Sequence, residues 1–339
     1  EAALSFVEAA SGLIALGEQP ECDHPLVPRV TGDVGAAGAT PRPPGATAPG
    51  VFPSGPQLTD FHFAIVLILC AAVLHALWNA IIKGAADRMV TMGLINIGHG
   101  VLGVAMVLSF ASPVAASWPF IAASTGIHFF YYGFLLYAYK HGDLSQVYPI
   151  ARGVAPLLVT LGALFFLGEA LSPGGWVGVM IVSLGIGVLF LARGGAEASG
   201  KAIIFALLTG VTIASYSVVD GAGVRASEAP LGYIGWLFVF ECMAGFGFLY
   251  LRRSRLPTLP AGVWIAGLIG GIVSAVAYGL AIYAQTLTSL GTVSAIRESS
   301  VVIAALIGLI WFGERPWKMR LVAAAIVAGG VILLAVAPQ

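Results

Sequence analysis

The sequence predicts an all-α membrane protein of ten transmembrane helices arranged as two inverted five-helix repeats. Three observations predict it. Of the 339 residues, 58% are hydrophobic and 9% are charged, whereas a soluble domain carries about 25% charged residues. From Phe61 onward, apolar runs succeed one another, each near the roughly 20 residues that cross a hydrocarbon core as helix. The two halves of that region also carry matching residues at near-constant offsets.

In chain order, residues 1–60 stand apart. The stretch GDVGAAGATPRPPGATAPGVFPSGP is glycine, alanine and proline with few large apolar side chains. Such a segment cannot bury enough surface to offset the entropy of ordering, so it is expected to be disordered. The weakly apolar piece from Ala2 to Leu16 fits a short surface helix. The expected spans are 62–83, 89–111, 117–140, 144–167, 174–193, 200–222, 231–252, 261–287, 290–312 and 317–337. Lipid offers no partner for backbone N–H and C=O, and the runs are too long and continuously apolar for barrel strands, so each is a helix. Ser112-Pro113 and Ser172-Pro173 punctuate them, with proline suited to a first helical turn. Gly174 with Gly178, and Gly267 with Gly271, are small-residue pairs of the kind that let helices approach closely.

The halves are 61–194 and 195–339. Arg152 and Glu169 recur as Arg297 and Glu314 at an offset of 145, within segments ending FFLGE and IWFGE. Tyr132-Gly133 and Tyr137-Ala138 recur at 146, and Gly84-Ala85 with Arg88 recur at 137 as Gly221-Ala222 with Arg225. Five is odd, so the second copy enters the membrane from the opposite side, as in transporters built from inverted repeats. The loops after odd-numbered spans hold Lys83, Arg88, Lys140, Arg193, Lys201, Arg252, Arg253, Arg255, Arg315, Lys318 and Arg320, while those after even-numbered spans hold Arg225 alone. Basic loops favour the cytoplasm, which puts both termini outside and requires translocation of the N-terminal tail.

Conventional active-site motifs are missing: the sequence has no GxxxxGK[ST], HExxH, CxxC or GxSxG. Cys22, Cys70 and Cys242 have no paired or metal-like spacing. No catalytic residue, metal or cofactor is expected, and the balanced charge of 16 basic and 16 acidic residues gives no sign of a nucleic-acid partner.

The twin LGE and FGE ends, HALWNAIIKGAADR closing the first span and YSVVDGAGVR closing the sixth together resemble the drug/metabolite transporter superfamily, specifically its ten-helix EamA-type members. The resemblance covers about residues 61–339. It implies a secondary carrier of the inner cell membrane that works by alternating access, with a solute cavity between the repeats and no ATP site. It names no solute.

Ionisable groups within the hydrocarbon region are costly and therefore candidates for function. Arg152 and Arg297 lie at matching depths, and a guanidinium suits a carboxylate or phosphate; they are expected to bind an anionic or zwitterionic solute. The alternative is a pairing with a carboxylate that holds helices together. Glu241, Glu298 and His75 are the proton-coupling candidates, Glu241 being equally open to a role as partner of either arginine. Asn79 and Trp78 share the first span with His75, and Tyr148, Tyr216 and Tyr278 offer an aromatic, hydrogen-bonding wall. Pro149 and Pro156 flank Arg152 and are expected to kink its helix. His99 and His128 read as packed histidines, Asp220 and Lys83 as charges at wet helix ends, and Glu169 and Glu314 as capping groups that hold the following loop. The expected partners are a small-molecule solute and the lipid bilayer, with protons as the candidate coupling ion and a homodimer as a candidate assembly. The rival readings are an intramembrane enzyme acting on a lipid-linked substrate, which needs clustered acids or histidines near one face, and a non-transporting scaffold or sensor, which needs a fully paired polar network with no cavity.

Overall fold

A computed structural model describes residues 58–82, 87–141, 144–192, 199–310 and 317–337. The expectations for the N-terminal tail, Lys83, Arg193, Glu314 and Arg315 fall outside them. The described residues form α1 (Leu58–Ile82), α2 (Arg88–Ser109), α3 (Trp118–His141), α4 (Leu144–Leu167), α5 (Pro173–Ala192), α6 (Gly200–Ala226), α7 (Pro230–Leu251), α8 (Ala261–Ala284), α9 (Leu290–Arg297), α10 (Ser299–Ile310) and α11 (Trp317–Val336). Eight of these are long and apolar enough to cross a membrane, and α5 carries a shorter apolar stretch, Pro173–Val188. The protein is an all-α membrane protein.

The helices start where the local chemistry provides caps. Asp87 accepts from the backbone N–H of Met89 at 3.0 Å and of Val90 at 3.2 Å, opening α2. Ser199 opens α6, Ser289 opens α9, and Pro230 occupies the first turn of α7. Ser172-Pro173 begins α5, with the serine hydroxyl accepting from Gly175 N–H. Two expectations need correction. Helix α1 begins at Leu58, so residues 58–60 belong to it rather than to the tail. The expected span 290–312 is two helices, because Glu298 N–H bonds back to Ala295 and Val301 N–H to Glu298, a three-residue spacing that tightens the turn. Four successive polar residues, Arg297, Glu298, Ser299 and Ser300, sit at that point. Helix α4 in contrast runs on through both Pro149 and Pro156.

The long helices expose one apolar face and bury another, whereas α9 is buried along its whole length. On α1, Phe63, Val66, Leu69 and Val73 are exposed at three- and four-residue spacing, while Ala64, Ile68, Ala71, Ala72 and Ala76 are buried. Small residues set the closest approaches. A Cβ on Gly98 of α2 would stand 2.7 Å from Gly271 Cα of α8, and one on Gly178 of α5 would meet Leu334 of α11 at 2.6 Å. The main pairings are α2 with α7, α5 with α11, α3 with α6, and α1 with α8, and α4 packs on both α5 and α6.

Candidate functional site

The polar turn between α9 and α10 points its two charged residues to different ends. Glu298 is fully buried and faces α4, where Arg152 Nε donates to its Oε2 at 2.9 Å and Arg152 Nη2 lies 2.8 Å from its Oε1. This is the helix-to-helix pairing that the sequence left open for Arg152. Arg297 has no such partner: it is 7% exposed, and its Nε and Nη2 make no hydrogen bond among the described residues. Neighbours on one helix do not face each other, which keeps Arg297 off the Glu298 carboxylate.

Arg297 borders a cavity of about 260 Å³. His75, Trp78 and Asn79 of α1 line it, with Tyr148 and Arg152 of α4, Tyr216 of α6, Glu241 of α7 and Tyr278 of α8. Every expected site residue except Glu298 thus meets one space, and Glu298 stands behind Arg152. The lining comes from the second halves of α1 and α3 and the first halves of α2 and α4, so the cavity is biased towards the basic α1–α2 and α3–α4 connections. Some of the polar groups are already occupied locally. Trp78 Nε1 donates to His75 Nδ1 at 3.3 Å, and Asn79 Nδ2 to the His75 carbonyl at 2.7 Å.

On the wall opposite the arginines, Glu241 is 2% exposed and meets two histidines. His99 Nδ1 of α2 lies 3.1 Å from Oε2, and His128 Nε2 of α3 lies 3.2 Å from Oε1, off the line of a full hydrogen bond. His99 Nε2 reaches Ser274 Oγ of α8 at 3.2 Å. Tyr216 stacks on His128 with centroids 4.1 Å apart, and Tyr131, Tyr132 and Tyr278 crowd the same ring. Asp220 corrects an expectation. It is fully buried, not at a wet helix end, because α6 runs past it to Ala226, and the hydroxyls of Tyr233 and Tyr278 donate to its carboxylate at 3.2 and 2.5 Å. His99, His128 and Asp220 are the polar groups that sequence reasoning under-read. The available signal was Glu241 itself, since a carboxylate in mid-membrane demands a partner and two histidines lay at comparable depth.

At the other end of the bundle the chain is tied shut. Gly168, at φ +68°, ends α4, and Glu169 N–H returns to the Ala163 carbonyl, which closes the last turn. The LGE motif therefore places Glu169 to accept from Arg225 of α6 and, at 2.9 Å, from Leu290 N–H at the start of α9. It caps α9, not the loop before α5 as the sequence suggested, since the reversal at Gly168 turns it across the bundle. Arg225 also donates to the carbonyls of Gln285 at 2.7 Å and Thr288 at 2.9 Å.

A family model, the EamA-like transporter family, matches residues 200–336, which span α6 to α11. This stretch is an EamA-like transporter segment. That match and the succession of long apolar helices make the chain a multi-pass membrane protein with an EamA-like transporter segment over residues 200–336. The solved structures agree on the fold: one crystal structure of a protein is similar with a TM-score of 0.61 at 20% identity, covering 82% of this chain and 98% of that one. No curated protein matches. Within this EamA-like frame, no group of three or more histidine, cysteine or acidic residues among the described residues could hold a metal ion.

Proposed function

We propose that the protein is a secondary carrier of a small polar metabolite bearing a carboxylate or phosphate, and that Arg297 binds that group. The observation that carries this reading is the buried guanidinium with two unpartnered nitrogens bordering a cavity. A buried guanidinium with unfilled hydrogen bonds is expensive, and a solute anion would fill them. Arg152 serves chiefly to anchor Glu298 and contributes its remaining edge to the cavity wall. His75, Trp78, Asn79, Tyr148, Tyr216 and Tyr278 shape the pocket and give the solute polar contacts.

The carrier works by alternating access in the cell membrane with its basic loops in the cytoplasm. In this conformation the cavity leans towards the basic side, while Arg225 and Glu169 tie the opposite end. The packing supports two inverted repeats: exchanging the halves converts the α3–α6 contact into α8–α1 and leaves α2–α7 paired with itself. A scaffold would pair all its buried charges, which Arg297 contradicts. Counterflow in proteoliposomes tests the reading with a panel of radiolabelled small carboxylates and phosphate esters. A member of the panel should exchange through the wild-type protein and not through Arg297→Gln; equal exchange by both rejects the role of Arg297.

A further inference from the structure

The hydrogen-bond geometry around His128 fixes where a proton sits. His128 Nδ1 lies 2.8 Å from the carbonyl oxygen of Ser124 one turn earlier. A carbonyl oxygen only accepts, and the Ser124 hydroxyl, 3.3 Å from the same nitrogen, also bonds the Asp220 carboxylate, so the shorter carbonyl contact assigns a hydrogen to Nδ1. In a neutral imidazole the other nitrogen, Nε2, then presents a lone pair. That nitrogen is 3.2 Å from Glu241 Oε1, and an ionised carboxylate presents lone pairs as well. His128 is 5% exposed and Glu241 2%, so two acceptor atoms would lie 3.2 Å apart, though off the line of a hydrogen bond, in a site with little solvent to separate them. A proton between them removes the conflict.

We infer that His128 and Glu241 form a proton-binding site, occupied in this conformation. The proton resides either on His128 as imidazolium against carboxylate or on Glu241 as carboxylic acid against neutral imidazole, and the count is the same. His99 needs no extra proton: its Nε2 faces Ser274 Oγ, a hydroxyl that donates or accepts, so a neutral ring can donate from Nδ1 to Glu241. His99 therefore positions the carboxylate. The charged and titratable groups facing the pair are Asp220 and Tyr216 from α6, Tyr278 from α8, Tyr131 and Tyr132 from α3, Tyr233 from α7, and Arg152 and Arg297 across the cavity from α4 and α9. Asp220 is the second carboxylate of that set.

Release of the proton would leave neutral His128 beside ionised Glu241 and remove the attraction between α3 and α7 at the cavity wall. Coupling of that step to solute movement rests on the carrier reading above; the bound proton does not. The test uses the full-length protein in lipid nanodiscs, with the proton itself as the probe. Infrared absorption reports protonated carboxyl groups, and ¹⁵N resonances of labelled histidine report the protonation of each ring nitrogen. Near neutral pH, wild type should show either a doubly protonated His128 or a carboxylic acid signal that Glu241→Gln removes. In Glu241→Gln, His128 should revert to the neutral Nδ1–H form, and His128→Gln provides the reciprocal check should the first variant fold poorly. A neutral His128 beside an ionised Glu241 in wild type overturns the inference. Detection of the proton in a protein that exchanges no solute supports this site and sinks the carrier reading instead.

Discussion

Arg297 and Arg152 are matched in the sequence, yet the fold gives one a carboxylate and leaves the other open. That difference separates their expected behaviour on substitution. Glu298→Ala strands Arg152 in a buried site and should lower stability by about 3–5 kcal/mol, whereas replacing both partners, Arg152→Met with Glu298→Leu, should come closer to neutral. Thermal unfolding in detergent compares the two. Arg297→Met removes a cation that already lacks a partner, so it should raise stability by on the order of 1 kcal/mol while abolishing solute binding. A residue there for packing alone would lose stability on that change. At this scale the sequence was legible where cost alone decides: ionisable residues inside apolar runs marked the cavity wall. It was silent on pairing, because Glu298 and Arg297 are adjacent in the chain and only the tightened turn between α9 and α10 sends them to different neighbours.

Among the helices, glycine positions and one cross-bundle tie set the geometry. Gly98 of α2 meets the backbone of Gly271 in α8, and a backbone cannot swing aside like a side chain end. Gly98→Ala should cost about 1–3 kcal/mol through overpacking, while Gly126→Ala on α3, with nothing within 4 Å of the new Cβ, should be neutral or gain up to about 1 kcal/mol from helix propensity. Chemical unfolding of both variants checks the contrast. Arg225 joins the ends of α4, α6, α8 and α9 through Glu169 and the carbonyls of Gln285 and Thr288. Arg225→Ala should loosen that end, so a cysteine placed at Thr288 should react faster with a water-soluble thiol reagent than in the parent. Helix locations and most starts were legible from apolar length, Asp87, Ser199 and proline. The interruption at Glu298 was not, because an apolar run of suitable length reads as a single span whether or not its hydrogen bonding changes partway.

For the molecule as a whole, the cavity lies between two buried charge clusters that join the first five helices to the rest. Arg152 meets Glu298 on one wall, and His99 and His128 meet Glu241 on the other. The first is an ion pair, the second on our inference holds a proton, and Arg297 borders the cavity with two nitrogens that make no hydrogen bond among the described residues. The proposed carrier would use this asymmetry, with one tie held by an ion pair and the Arg297 guanidinium open to an anionic solute. The repeat offsets led to the expectation of an inverted arrangement and aligned both arginines, but they could not show that Arg152 pairs with Glu298. The most direct test of the account is solute-induced thermal stabilisation of wild type and Arg297→Gln, measured side by side with a panel of small carboxylates and phosphate esters. Stabilisation of wild type by members of that panel, absent in the variant, is the predicted result; equal stabilisation of both proteins would contradict it.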